Sequence, residues 1–267
     1  MKHIFILLLL TFYSYAYDAF ISPEELKNSL KDEKLVLLDV SSLAMYEKSH
    51  IAGALHADIS KFTKSNYARL ASAQSKNVQN QFKKLGINRD SHVVIYSRSS
   101  DEDFLNSTFL AFTMIEHGFE NISILEGGYM AWVFKYHTLV SSKKSSAKKK
   151  GTYKIKYNPT FSVGLEYIKT QQQNIVVVDG SDKVDSSKIF TDISYIIDRS
   201  YKDNFFDDFT LRSDDNLESF RSKLDLFNNK KIIVYDENIF KASTNWYILY
   251  KKFNFKNVKI LTALKDK

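Results

Sequence analysis

No cysteine occurs among the 267 residues of the chain. Thiolate nucleophiles, persulfides held on a side chain, disulfides and thiolate metal sites are therefore excluded within it. Histidine is also scarce, with six copies, and none of them shows metal-binding spacing. The chain contains no H-E-x-x-H, phosphate-loop or dinucleotide fingerprint, so neither a metal nor a cofactor is expected. The apolar run from Ile4 to Phe12 is far too short to span a bilayer.

What that run does suit is a secretory leader. Lys2 and His3 precede it, and Ser14-Tyr15-Ala16 supplies the small-x-small pattern of a cleavage site, so Met1 to Ala16 reads as a signal peptide. An uncleaved amphipathic anchor or a buried first strand is the alternative. Export implies a periplasmic, oxidising compartment, where the lack of disulfides places all stability in ordinary hydrophobic cores. An aromatic content of 14%, with 20 Phe and 16 Tyr, can supply them.

The remaining chain reads as a tandem duplication. L-V-L-L-D-V at Leu35 to Val40 returns as I-V-V-V-D-G at Ile175 to Gly180, and G-F-E-N-I-S-I-L at Gly118 to Leu125 returns as N-F-K-N-V-K-I-L at Asn254 to Leu261. V-V-I-Y-S at Val93 to Ser97 matches I-I-V-Y-D at Ile232 to Asp236, and Ser22-Pro23 matches Asn158-Pro159, all at offsets between 136 and 140. Two units of this length are too large for a solenoid repeat. Each alternates strands with helices. Ser22, Pro23 and Glu25 form a helix start, Leu35 to Val40 and Val93 to Tyr96 are strands buried on both faces, and Asn106 to Glu116 is a helix stopped by Gly118. The fold class is α/β, with a small mostly parallel sheet flanked by helices in each unit.

Between the copies, residues 141–156 carry Lys143, Lys144, Lys148, Lys149 and Lys150 among serines, with almost nothing to bury. This reads as a solvated basic linker joining a first domain at 17–140 to a second at 157–267. Its lysines supply most of the net charge of +7. The plain reading is a solvated face, and the sharper one is a weak contact with an anionic membrane or an acidic partner. No aromatic platform interleaves the lysines, so nucleic acid is not expected.

The motifs now resemble a known family. S-H-I-A-G-A at Ser49 to Ala54 resembles the G-H-I-x-G-A turn of rhodanese-like domains, following a strand ending in Asp39 and a short helix at Tyr46 to Lys48. L-E-G-G-Y-M-A-W at Leu125 to Trp132 is similar to the family's terminal G-G-x-x-x-W element. The pair of units resembles the two-domain thiosulfate and mercaptopyruvate sulfurtransferases. In the second unit the pattern is degenerate, with Leu261-Thr262-Ala263-Leu264 in place of the glycine pair and tryptophan.

The resemblance implies two tandem rhodanese-like domains and places the family's catalytic loop positions at Asp236 and Ser97. In active relatives a thiolate there carries sulfur as a persulfide inside a cradle of backbone N–H groups. Here no persulfide can form, so no catalytic residue is expected. Ser97 as a nucleophile needs a general base, which folding could bring from His50, His56, His92 or His117; the plainer reading is a serine bonded within its own loop. Ser97, Arg98, Ser99 and Ser100 are candidates for an anion-binding loop. Asp236 is expected to fill its own cradle and repel anions. The repeated Asp39 and Asp179 read as turn structure rather than catalytic acids. The expectation is an exported, non-catalytic binding or structural module with an unknown protein partner or a small anion as ligand. The alternatives are a sulfurtransferase working through a non-cysteine group, and a membrane-surface adaptor using the lysine linker.

Overall fold

The computed structural model describes residues 17–66, 69–98, 101–181 and 188–263. The expected leader, Met1 to Ala16, lies outside the described residues. The first unit runs β1 (Phe20–Ile21), α1 (Pro23–Ser29), β2 (Leu35–Asp39), α2 (Leu43–Lys48), β3 (His50–Ile51), β4 (Leu55–His56), β5 (Thr63–Asn66), β6 (Arg69–Ser72), α3 (Ser75–Lys84), β7 (His92–Tyr96), α4 (Asp101–Glu116), β8 (Ile122–Leu125), α5 (Gly128–Tyr136) and β9 (Val140–Ser141). The second runs β10 (Ser162–Gly164), α6 (Leu165–Gln171), β11 (Ile175–Asp179), β12 (Ile196–Asp198), α7 (Asp215–Asp225), β13 (Lys231–Tyr235), α8 (Ile239–Tyr247) and β14 (Val258–Ala263).

The two main sheets have equivalent strand orders, β1-β8-β7-β2-β4 and β10-β14-β13-β11-β12, with every pairing in both parallel. Register repeats as well. Asp39 lies opposite Tyr96 and His56, and Asp179 lies opposite Tyr235 and Asp198. The central strands β7 and β11 are buried at every residue, as their unbroken apolar runs require in a sheet covered on both faces. The two units are thus pseudo-symmetric α/β copies.

Helix α1 begins as its sequence dictates. Ser22 and Glu25 form a reciprocal capping box, and Pro23 occupies the first turn, where no N–H partner is needed. Helix α4 starts at Asp101 rather than at the expected Asn106, because Phe104 and Leu105 are already buried. From Phe109 to Ile115 every residue is at most 1% exposed. A helix apolar on all sides must be covered on all sides, and α4 is covered by its own sheet and by α8 of the other unit. Phe109 stacks on Phe240 with centroids 4.3 Å apart, and Phe112 meets Trp246 edge-on at 4.9 Å. The Thr108 and Thr244 hydroxyls, 136 residues apart like the repeats themselves, are 2.7 Å from each other. One hydrophobic cluster therefore runs through both units, while smaller clusters around Trp132 and Tyr235 fill the outer faces.

The segment between the units differs from a free tether. The lysine side chains are exposed, but the backbone is tied to the first unit. The Gly151 N–H donates to Lys83 O at 2.8 Å, the Tyr153 N–H to Ile87 O at 3.1 Å and the Lys156 N–H to His117 O at 2.9 Å. A Cβ on Gly151 would lie 2.4 Å from the Ile87 backbone, so only glycine admits this approach. The sequence reading missed this because the anchors are backbone groups and Tyr153, whose ring packs against Phe82 and Phe119.

Candidate functional site

Both loops that follow the central strands begin with the same framework. At the end of β2, Asp39 Oδ1 accepts the backbone N–H of Ser41 at 2.9 Å and also its hydroxyl; at the end of β11, Asp179 Oδ1 accepts the Ser181 N–H at 3.0 Å and its hydroxyl at 2.6 Å. These are local Asp turns. The same pair of strand ends is joined by Val40 N–H to Tyr96 O at 3.0 Å and by Gly180 N–H to Tyr235 O at 2.9 Å. Both aspartates are structural, as expected, and they hold the floor of each loop site.

Ser97 stands at the C-terminal end of β7 and is 2% exposed. Its carbonyl accepts the Tyr129 N–H at 2.9 Å, which ties the loop to the start of α5. The turn into that helix needs glycine twice, since Gly127 and Gly128 have φ of 62° and 55°. Gly127 also donates to Phe209 O of the second unit at 3.3 Å. Phe205 and Phe209 from that segment pack on either side of Phe104, at 4.7 and 4.9 Å. The second unit thereby braces the helix that follows the Ser97 loop. No periodicity in residues 205–211 announces this contact.

The expected anion ligands separate. Arg98 is directed at neighbouring helices: its guanidinium donates to Met45 O at 2.7 Å and to Ser49 O, and lies 3.7 Å from the Tyr129 ring centroid. That geometry fits a clamp between α2 and α5 rather than a ligand for a free anion, because two donors are already engaged and one face is stacked. Ser99 and Ser100 lie outside the described residues.

The four histidines considered as bases for Ser97 are bonded elsewhere. His50 Nδ1–H donates to Tyr46 O at 2.8 Å and His117 Nδ1–H to Thr113 O at 2.7 Å. His56 Nε2 meets Ser41 O at 2.9 Å, and His92 Nε2 meets the Ser123 hydroxyl at 2.9 Å. None of these bonds goes to Ser97. Burial also lowers the pKa of His92, to about 4, and that of His117. A base that neutral and that enclosed, bonded to a structural partner, is a core histidine.

Asp236 stands at the end of β13 and is 3% exposed. Oδ1 accepts the Asn238 N–H at 2.9 Å, and Oδ2 lies 3.0 Å from the position of a Cβ on Gly180, so the carboxyl is tucked toward the end of β11. Burial raises its pKa to about 6, with Glu237 and Asp179 pushing in the same direction against the Asn238 N–H and Lys241. A carboxylate filling a full cradle of amides would instead be held low. The side chain is enclosed at the start of the loop as a desolvated acid with one backbone donor, rather than as an anion filling a cradle of amides. Neighbouring Arg199 is likewise turned inward, donating to Asn204 Oδ1 at 3.1 Å, Asn216 Oδ1 at 2.5 Å and Asp203 O at 2.7 Å.

The repeat's degenerate end is also explained. Leu261 and Ala263 continue β14 along Val163 and Gly164, where the first unit turns at Gly127. Among the described residues, no group of three or more His, Asp or Glu side chains could hold a metal ion.

Comparison with known proteins agrees with this architecture. Residues 22–135 match the family described as "Rhodanese-like domain". The "Putative thiosulfate sulfurtransferase" of Synechococcus elongatus is 24% identical over 168 residues, which cover 62% of this chain and 51% of that protein. A Caenorhabditis elegans protein of the same description is 26% identical over 140 residues, 52% of this chain and 40% of its own length. The matched regions thus span about half or less of those relatives. Among solved structures, SseA of Escherichia coli, of the 3-mercaptopyruvate sulfotransferases, superposes with a TM-score of 0.77 at 17% identity, covering 94% of this chain and 100% of its own. The anaerobic ergothioneine biosynthesis enzyme of Chlorobium limicola gives 0.72 at 17%, covering 93% of this chain and 67% of its own. The chain therefore has a two-unit rhodanese-like fold resembling the thiosulfate and mercaptopyruvate sulfurtransferases, built without the active-site cysteine on which their chemistry depends.

Proposed function

We propose that this chain is a non-catalytic rhodanese-fold binding module, exported to the periplasm by the leader pattern at Met1 to Ala16. The observation that carries the reading is Asp236: a buried acid tucked against Gly180, at the loop position where a sulfur carrier would need an exposed thiolate. Arg98 supports a protein partner over a small anion, since its Nη2 donates to two carbonyl groups inside the molecule and its guanidinium is stacked on Tyr129. The two helices that Arg98 joins carry exposed apolar side chains. These are Leu43 and Met45 on α2, and Met130 and Phe134, one turn apart on α5, with Phe134 90% exposed. Large exposed apolar residues on two joined helices are what a partner protein would cover.

The test has a chemical arm and a binding arm. The chemical arm incubates purified protein with thiosulfate or mercaptopyruvate and cyanide, and should give no thiocyanate above a heat-denatured control. Turnover that disappears in Ser97→Ala would overturn the reading. In the binding arm, crosslinking in periplasmic extract should capture a partner with the wild type, and Met130→Lys with Phe134→Asp should release it while leaving the melting temperature unchanged. Fractionation that found the protein only in the cytoplasm would remove the periplasmic part.

A further inference from the structure

The most uneven feature of the molecule is its charge. Residues 74–89 and 141–158 together contain ten lysines and Arg89 but no aspartate or glutamate. The rest of the chain has 27 basic side chains against 31 acidic ones, so the whole excess of positive charge belongs to these two stretches. All eleven cations are exposed, and among the described residues none forms an ion pair. The acids that come nearest along the chain are engaged elsewhere. Asp90 pairs with Lys34, and Glu166 pairs with Lys169 at 2.7 Å.

The two stretches are one surface. Besides the backbone bonds at Gly151 and Tyr153, Gln79 on α3 reaches both sides of Tyr153: its Nε2 donates to Tyr153 O at 2.8 Å and its Oε1 accepts the Ile155 N–H at 3.1 Å. Asn88 Oδ1 accepts the Thr152 N–H at 3.0 Å and its hydroxyl at 2.8 Å, and Ala147 packs against Gly86. The segment is laid along α3 and its C-terminal turn, which brings Lys144 and the lysines between 148 and 154 alongside the helix that carries Lys76, Lys83 and Lys84, with Lys143 and Lys156 at the two ends of the docked stretch.

We propose that this composite face seats the protein on a membrane surface rich in anionic lipid headgroups. The composition favours that partner. Ten of the eleven cations are lysine, whose ammonium is a point charge on a long flexible stem suited to a diffuse negative surface; reading a defined carboxylate or phosphate would favour the planar fork of arginine. Exposed lysines near a bilayer each add about five-fold in binding at moderate salt, and the effect falls away within a Debye length. The proposal does not depend on the fate of the sulfur chemistry, because none of the eleven cations belongs to the Ser97 or the Asp236 loop.

The test is sedimentation of the full protein with vesicles of phosphatidylcholine containing about one-third phosphatidylglycerol, against pure phosphatidylcholine. Retention on the anionic vesicles should be strong at 50 mM salt and lost at 500 mM, with none on the neutral ones. Lys148→Ala with Lys149→Ala and Lys150→Ala should lower the partition by roughly 100-fold, and Lys83→Ala with Lys84→Ala by roughly 25-fold. Lys223→Ala in the second unit should change it less than two-fold, and circular dichroism melts should match across all variants. Equal retention on neutral vesicles, or loss with the linker variant but not with the α3 pair, would overturn the composite face. Failure to bind anionic vesicles, together with salt-sensitive capture of an acidic protein, would overturn the lipid assignment.

Discussion

The two units share a frame and differ in what the frame holds. At both strand ends an aspartate accepts a serine two residues on, and a tyrosine carbonyl accepts the next backbone N–H. Beyond those points, the first unit places a small hydroxyl, Ser97, and clamps the following Arg98 between two helices. The second places a buried acid, Asp236, with its pKa raised to about 6. The shared part is backbone hydrogen bonding and strand register, which many side chains satisfy. The divergent part is the one position where chemistry would demand a particular atom. A duplicated fold can keep its frame while the residue at that position differs between the copies, because the frame is held by backbone hydrogen bonds and the strand-end aspartates.

The sharpest way to break this comparison is at the contact that makes the two units one body. Trp246 is fully buried against Phe112, Phe161 and Tyr250, and its Nε1–H donates to Val258 O at 3.1 Å. Trp246→Ala should cost about 3–5 kcal/mol. Chemical denaturation followed by tryptophan-independent circular dichroism should show one transition shifted for both units. Two separate transitions in the wild type would show that the shared cluster does not couple them.

A smaller effect separates the units by pH. The raised pKa of Asp236 means that the folded second unit holds its proton more tightly than the unfolded chain. The associated stability is complete below about pH 4, and is lost as pH rises through about 6. His92 acts in the opposite sense: its pKa is lowered to about 4, so the stability it contributes is present above about 6.5 and lost as pH falls toward 4. Because one transition covers both units, the two contributions oppose each other in the global stability between pH 7.5 and 5, each by about 1–2 kcal/mol, and Asp236→Asn should leave only the loss that follows His92, read from denaturation at the two pH values. Asp236→Asn should stabilise the protein by about 1–3 kcal/mol at pH 7.5 and by little at pH 4.

The least effect is expected at the pseudo-symmetric threonines. Each hydroxyl has one proton and a carbonyl in reach, Leu105 O at 3.1 Å from Thr108 and Phe240 O at 3.2 Å from Thr244, so the threonine that accepts from the other can still donate to its own carbonyl, and either one keeps a backbone acceptor when its partner is removed. Thr108→Val should cost about 0.5–1 kcal/mol, and adding Thr244→Val should cost less than twice that. Full additivity in a thermal-melt cycle would deny the coupling between them.

Much of this was legible residue by residue. The apolar runs at Leu35, Val93, Ile175 and Ile232 marked the central strands because a covered parallel strand tolerates no polar face. Ser22, Pro23 and Glu25 marked the first helix because Ser22 and Glu25 each accept an unpaired N–H at its start and Pro23 brings none. The strand-end aspartates read correctly as turns. Arg98 did not, since an arginine in a loop gives no sign of whether it faces solvent or two carbonyls contributed by a helix some fifty residues earlier. The docked linker was also hidden: its anchors are main-chain groups, and a lysine-rich composition reports on side chains alone.

Sequence alone determined that this chain makes two α/β units and that no cysteine persulfide can form on either, since periodicity, local capping and the absence of cysteine all act without regard to distant residues. Only the tertiary structure decided that α4 and α8 merge the units into one core, that Arg98 is turned inward and Asp236 buried, and that the lysines of the connecting segment join those of α3 in a single face. Those outcomes depend on which groups become neighbours after the chain is closed. Desolvation, hydrogen-bond geometry and the summing of charge are properties of neighbourhoods in space.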